Sequence, residues 1–158
     1  MKKVIVSVVI LLVVIAAVPQ SARGEGVYNF YIRTGLITDD SISFSPLLWT
    51  IGANFDFNLG SMLMISPECD IIVYKFNFNP LWLTPAVTLN LNFSGLFLGA
   101  GIAKFIVLGS GYTLSSDFLF KLNGGFKTDS FKLQLYALSS FDSIFSDMTV
   151  GFTLGFGF

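Results

Sequence analysis

Residues 148–158 read MTVGFTLGFGF, and this stretch decides the fold. Because the side chains of a β-strand alternate between its two faces, every second residue shares a face. One face would carry the bulky apolar residues Met148, Val150, Phe152, Leu154, Phe156 and Phe158. The other face would carry only glycine and threonine. A strand with one large apolar face needs an apolar covering, so the sequence predicts a strand that faces lipid.

The N-terminus has the pattern of an export signal. Two lysines precede an apolar run over residues 4–18, which a proline and a short polar stretch follow. This run is about fifteen residues long, whereas a helix needs roughly 20 to span a bilayer. We therefore expect residues 1–24 to be a signal peptide, cleaved after Ala22 or Gly24, and residues 25–158 to be one mature domain. The alternative, an uncleaved membrane anchor, fits the proline and the small residues after it less well.

The composition excludes several classes of protein. Apolar residues make up 53% of the chain and charged residues 12%, about half the charged share of a soluble domain. The mature chain nevertheless lacks a run long enough for a spanning helix, so a closed β-barrel is the simplest membrane structure. Without the three basic residues of the signal peptide, acidic residues outnumber basic ones by ten to six, and nucleic acid is not an expected partner. Cys69 is the only cysteine, which excludes an intrachain disulfide.

Eight segments of the mature chain alternate between apolar residues and small or polar residues. Each has the length expected of a transmembrane strand. They span residues 27–37, 48–58, 62–74, 83–93, 96–105, 117–126, 131–138 and 148–158. The connections alternate between long and short, at residues 38–47, 59–61, 75–82, 94–95, 106–116, 127–130 and 139–147. An antiparallel barrel with both termini at its periplasmic end requires this alternation. We expect the eighth strand to pair with the first, and a β-bulge near Pro67.

The charged residues of the strands fall on the face that would line the barrel. They are Arg33, Asp56, Glu68, Asp70, Lys121 and Lys132, three of each sign. Since eight strands enclose a space that side chains nearly fill, we expect an ion-paired polar network that plugs the lumen. The alternative is a gate, or a narrow path for protons or ions. Glu68 and Asp70 would also suit a cation, but pairing with Arg33 and Lys121 is the better interpretation.

Aromatic residues fall near both ends of the predicted strands. Tyr28 and Phe57 lie near the periplasmic end, and Trp49 and Trp82 lie near the outer rim. Membrane barrels carry aromatic girdles at both membrane–water interfaces, and these four residues predict such girdles. A soluble lipocalin-type barrel would instead have an apolar lumen and a charged exterior, which the parity of the large apolar residues disfavours.

The terminal stretch resembles the last strand of bacterial outer-membrane β-barrels, which alternates and ends in phenylalanine. The resemblance implies that Phe152, Leu154, Phe156 and Phe158 form the signal that the barrel-assembly machinery reads. In that signal a glycine usually occupies the position of Thr153.

The whole mature chain resembles the small eight-stranded outer-membrane barrels, such as the transmembrane domain of OmpA and OmpX. This implies an all-β fold, an eight-stranded antiparallel up-and-down transmembrane β-barrel in the outer membrane of a Gram-negative bacterium. We expect a monomer in contact with outer-membrane lipid and lipopolysaccharide.

The sequence offers no catalytic constellation. It contains no histidine, which removes histidine general bases and histidine metal ligands. We therefore expect no enzyme activity, no cofactor and no metal site. Two functions remain open: a structural or interaction role in the cell envelope, or a narrow channel or lateral-release conduit for small solutes or apolar molecules. A wall opening near Pro67 or Pro85 would favour the second.

Overall fold

The computed structural model describes residues 28–38, 42, 48–74, 77–142 and 147–158. The predicted signal peptide at residues 1–24 lies outside these ranges, as does most of the first long connection. No helix long and apolar enough to cross a membrane occurs in the described residues.

The described residues form ten β-strands, which are the eight predicted segments and two further short strands, β6 and β7. They are β1 (Tyr28–Ile37), β2 (Leu48–Leu59), β3 (Leu63–Tyr74), β4 (Asn77–Phe93), β5 (Leu96–Ala103), β6 (Ile106–Gly109), β7 (Tyr112–Ser115), β8 (Leu119–Lys127), β9 (Phe131–Ser140) and β10 (Met148–Gly157).

Eight of these strands close into a barrel. Neighbours in the order β3-β2-β1-β10-β9-β8-β5-β4 are hydrogen-bonded, and a β3–β4 pairing joins the two ends of the sheet. Each of these pairings is antiparallel, and β1 pairs with β10 from Tyr31 opposite Gly157 to Ile37 opposite Gly151. The prediction of an eight-stranded antiparallel barrel closed by its first and last strands is therefore confirmed.

The strands are staggered around the barrel. Successive partners, followed once around the sheet, run from Tyr28 through Phe57, Ile65, Leu89, Ala100, Leu122, Ala137 and Val150 to Thr38. The path thus begins at the first residue of β1 and returns just beyond its last. A stagger of this kind is what tilted strands need in order to close a barrel.

The two faces of the wall differ as the alternation predicts. Large apolar side chains are exposed on the outside, whereas every charged side chain that a described barrel strand turns inward is buried. An apolar exterior around a polar interior is the reverse of a lipocalin-type barrel, so that alternative is wrong. The molecule is a closed β-barrel with an apolar exterior.

Two predicted loops contain strand. The connection predicted at residues 106–116 contains the β6–β7 hairpin, which turns at Ser110 and Gly111, and Gly111 has a φ of +91°. The connection expected at residues 75–82 is shorter, because β4 already begins at Asn77. Both differences have one cause: β6 continues the pairing of β4 beyond the end of β5, with Leu81 opposite Leu108.

The predicted bulge near Pro67 is wrong. Pro67 lies opposite Val87 in an unbroken β3–β4 register, and the β2–β3 register is the same on both sides of it. Pro67 removes one backbone N–H from the hydrogen-bond ladder, and the strand tolerates this loss without the additional residue of a β-bulge. The register shift lies instead between Ile72 and Tyr74. Val73, which simple alternation from the inward-facing Asp70 would place outside, is buried at 2% exposure, and Tyr74 is 41% exposed.

Candidate functional site

The lumen collects the polar side chains that the strands turn inward. We call the end of the barrel that holds Tyr28 and Phe158 the terminal end, and the opposite end, beyond which the β6–β7 hairpin extends, the loop end. Between the two ends the described lumen residues form three layers, two of them polar and one apolar.

The first layer, the central cluster, consists of Arg33, Glu68, Asp70, Lys121 and Gln134. Arg33 donates twice to Asp70, from Nε to Oδ1 at 2.7 Å and from Nη2 to Oδ2 at 2.5 Å. Its Nη1 pairs with Glu68, and Lys121 pairs with the second oxygen of the same carboxylate. Gln134 accepts from Arg33 at 3.2 Å and donates to Glu68 at 3.4 Å. Two cations and two carboxylates are thus buried together with matched charge.

A glycine makes room for the central cluster. Gly52 of β2 pairs with Arg33 on one side and with Asp70 on the other. A Cβ atom at position 52 would lie 2.1 Å from Asp70 Oδ1, closer than real Cβ contacts come. The missing side chain therefore lets Arg33 cross β2 to reach Asp70.

The second layer surrounds Asp56, nearer the terminal end. Its Oδ1 atom accepts from Lys132 Nζ at 2.7 Å, from Ser66 at 2.7 Å and from Asn54 at 2.8 Å. Lys127 Nζ lies 3.7 Å from Asp56 Oδ2. The Lys132 ammonium also lies 4.9 Å from the ring centroid of Phe97. This layer places two ammonium groups beside one carboxylate.

Amide and hydroxyl side chains extend the Asp56 layer across the lumen. Asn90 donates to Ser66 at 3.0 Å and to the hydroxyl of Thr88 at 2.9 Å. Asn123 donates to the Asn90 oxygen at 2.8 Å. The layer therefore connects strands on several sides of the barrel, as a packed polar interior requires.

Lys127 is a charged lumen residue that the predicted strand boundaries leave out. The sequence predicts a turn at residues 127–130, but Lys127 belongs to β8, is 7% exposed, and donates to Asn58 at 3.2 Å. Lys127 occupies the same face of the alternating strand as Lys121. The alternation in the sequence therefore indicates that Lys127 also faces the lumen. Among the described residues the lumen thus holds four cations and three carboxylates.

The third layer is apolar and lies toward the loop end. Its buried members are Ile37, Ile72, Ala86, Ala103, Tyr136 and Leu138, and the partly buried Leu48, Phe105 and Leu119 pack against them. Lys121 Nζ lies 4.3 Å from the ring centroid of Tyr136, which joins this layer to the central cluster. The sequence analysis placed no apolar layer in the lumen, whereas the structure buries aliphatic and aromatic side chains together near the loop end.

The remaining predicted residues lie on the exterior. Trp49 and Trp82 are exposed near the loop end, and Phe57 is exposed near the terminal end, where Tyr28 is half-buried. In β10 and just beyond it, Phe152 and Leu154 are half-buried, whereas Phe156 and Phe158 are exposed. Phe156 packs edge-on against Phe131 with the ring centroids 6.1 Å apart.

No group of three or more Cys, Asp or Glu side chains that could hold a metal ion occurs within the described ranges. The carboxylates of Glu68 and Asp70, which would suit a cation, are both occupied by Arg33.

The fold is that of the small eight-stranded outer-membrane barrels. The crystal structure of the N-terminal β-barrel domain of Pseudomonas aeruginosa OprF matches with a TM-score of 0.53 at 14% identity, over 82% of this chain and 97% of that one. Ail, the attachment invasion locus protein of Yersinia pestis, solved with the heparin analogue sucrose octasulfate, gives 0.44 at 10% identity, over 82% and 94%. No protein-family model and no curated protein sequence matches the chain. The likeness to OprF agrees with the predicted fold class.

Proposed function

We propose that the protein is a bacterial outer-membrane barrel with a structural or interaction role in the cell envelope, and that its lumen is closed. The observation that carries this proposal is the succession of barriers along the lumen. An ion would have to displace the buried ion pairs around Arg33, and breaking such pairs is costly. It would then have to shed its water to pass the apolar layer.

An outer-membrane location agrees with the apolar exterior and its aromatic borders. It also agrees with the predicted signal peptide at residues 1–24. In this placement both termini lie in the periplasm, and the barrel-assembly machinery reads the C-terminal residues from Phe152 to Phe158. The barrel is a monomer surrounded by outer-membrane lipid and lipopolysaccharide.

Membrane fractionation tests the location. The full chain is expressed in a Gram-negative host, inner and outer membranes are separated, and electrophoretic mobility is compared with and without boiling. We expect the protein in the outer-membrane fraction, with a mobility that changes on boiling. A deletion of residues 1–24 is the matched control and should leave the protein in the cytoplasm. A soluble periplasmic protein without a mobility change would contradict the proposal.

A lateral-release conduit for apolar molecules is a second candidate, and one feature of the wall favours it. Beside Pro85, the partner of β4 changes from β5 to β6, and Lys104 and Phe105 between them belong to neither strand. The Lys104 N–H donates to the Pro85 oxygen at 3.0 Å across this interval. Ala86 and Phe105 place the apolar layer of the lumen behind it.

Probe binding separates the two candidates. A conduit predicts saturable binding of a fluorescent apolar probe by the barrel in nanodiscs, and weaker binding after Ala86→Trp fills the lumen behind the interval. A closed structural barrel predicts no saturable binding in either form.

A further inference from the structure

The basic residues of the described chain are distributed unevenly between the two faces of the wall. Arg33, Lys121, Lys127 and Lys132 are buried in the lumen. Among the described basic residues, Lys104 alone lies on the outer face: Ala103 before it is buried, Ile102 is exposed, and the Lys104 ammonium lies over an outward-facing ring.

That ring belongs to Phe118, which is 57% exposed. Lys104 Nζ lies 5.0 Å from its centroid, within the range of a cation–π contact. Lys104 forms no ion pair with a carboxylate of the described residues, including Asp117, the chain neighbour of Phe118. The ammonium therefore has an aromatic support but no anionic partner from the described part of the chain.

Lys104 also lies at a specific height on the barrel. It follows the last residue of β5 at the loop end, the end of the barrel at which Trp82, Phe118 and Phe141 are exposed. Exposed aromatic rings mark the border between hydrocarbon and headgroups in membrane barrels. A lysine at this border buries its stem along apolar surface and places its ammonium among the headgroups.

We propose that Lys104, supported by the Phe118 ring, binds the phosphate of an anionic lipid headgroup at the loop-end border of the barrel. The opposite charges, the position of the ammonium at the loop end and the exposure of the Phe118 ring all fit a phosphate that approaches from the lipid. The inference rests on the proposed membrane placement, and it names a contact by which the barrel would hold lipid of its own leaflet.

Native mass spectrometry of the folded full-length protein tests this contact. The barrel is placed in phosphatidylcholine nanodiscs that contain a minor fraction of either phosphatidylglycerol or lipid A, and the lipids retained after release are counted. We expect wild type and Lys104→Arg to retain the anionic lipid, and Lys104→Gln to retain about five-fold less, since one lysine at a membrane surface contributes about 1 kcal/mol. Phe118→Leu should also reduce retention. The two lipids distinguish a phospholipid from a glycolipid as the source of the phosphate.

Several outcomes are decisive. Equal retention of anionic lipid by wild type and Lys104→Gln would overturn the proposal, as would equal retention of phosphatidylcholine and the anionic lipids. A barrel that enters nanodiscs of either kind but shows no Lys104 dependence contradicts only this inference. A protein that fails to enter any nanodisc contradicts the proposed function itself. Mobility with and without boiling shows that each variant is folded.

Discussion

Arg33 of β1 holds Asp70 of β3 with two parallel hydrogen bonds, 2.7 Å and 2.5 Å long, although β2 runs between them. The register places Gly52 in line with both residues, and the absence of a side chain there opens the path. Paired bonds between a guanidinium and a carboxylate are strong and geometrically specific. This ion pair therefore ties three strands of the wall together through the lumen.

Filling the space at position 52 should weaken the barrel. Gly52→Val would push atoms into Asp70 Oδ1 and the Cys69 carbonyl oxygen, whose distances from a new Cβ would be 2.1 Å and 2.3 Å. We expect a loss of about 2–4 kcal/mol in the free energy of unfolding, measured by denaturant titration in lipid vesicles. The matched control is Ala53→Val, at the next residue, on the face of β2 that would contact lipid. It should change the free energy of unfolding little. Equal stability of Gly52→Val and wild type would show that Arg33 does not need this path.

Removing one member of the ion pair should cost more than removing both. Arg33→Met leaves the Asp70 carboxylate buried without its cation, at an expected cost of about 3–5 kcal/mol. Adding Asp70→Asn removes that stranded charge, so the double variant should be more stable than Arg33→Met alone. The same denaturant titration measures all three proteins. A double variant less stable than Arg33→Met would contradict a coupled pair.

A charged side chain on the outer face should destabilise the barrel only where that face contacts lipid. Leu135 lies midway along β9 and is 55% exposed, whereas Leu114 lies on the β7 hairpin strand and is 60% exposed. Leu135→Arg should reduce the free energy of unfolding in vesicles by about 2–4 kcal/mol, and Leu114→Arg should leave it nearly unchanged. Because the two leucines are similarly exposed, solvent exposure alone predicts equal effects. Equal losses would place the belt of lipid contact elsewhere on the barrel.

The alternation of residue types made the strands and their faces predictable, because a period of two is a local property of the sequence. The alignment of Arg33, Gly52 and Asp70 was not predictable, since it depends on the register between three strands. Lys127 was missed because a turn was placed one residue too early.

The apolar layer was missed for a different reason. Ile37, Ile72 and Leu138 lie near the loop ends of their strands, where the sequence analysis expected an outer rim and not a packed interior. The register shift after Ile72 added Val73 to the buried residues, and a shift of that kind has no signature in residue type alone.

The two barriers along the lumen should act in series. Lys121 of β8 and Leu138 of β9 are partners in the strand pairing. Lys121 belongs to the central cluster, and Leu138 belongs to the apolar layer. Lys121→Ala or Leu138→Ala alone should leave the barrel closed to ions, because the other barrier remains. The double variant should leak, as measured by release of a small anionic dye from vesicles. Leakage through either single variant would show that one layer carries the whole barrier.

Conductance of the wild-type protein in a planar bilayer tests the closed lumen most directly. The folded full chain, verified by its mobility shift on boiling, is inserted and recorded over a range of voltages. The ion pairs around Arg33 and the apolar layer around Leu138 predict no steady conductance above that of the bare bilayer. A stable, reproducible channel in wild-type protein that is known to be folded would contradict the closed lumen and favour the channel.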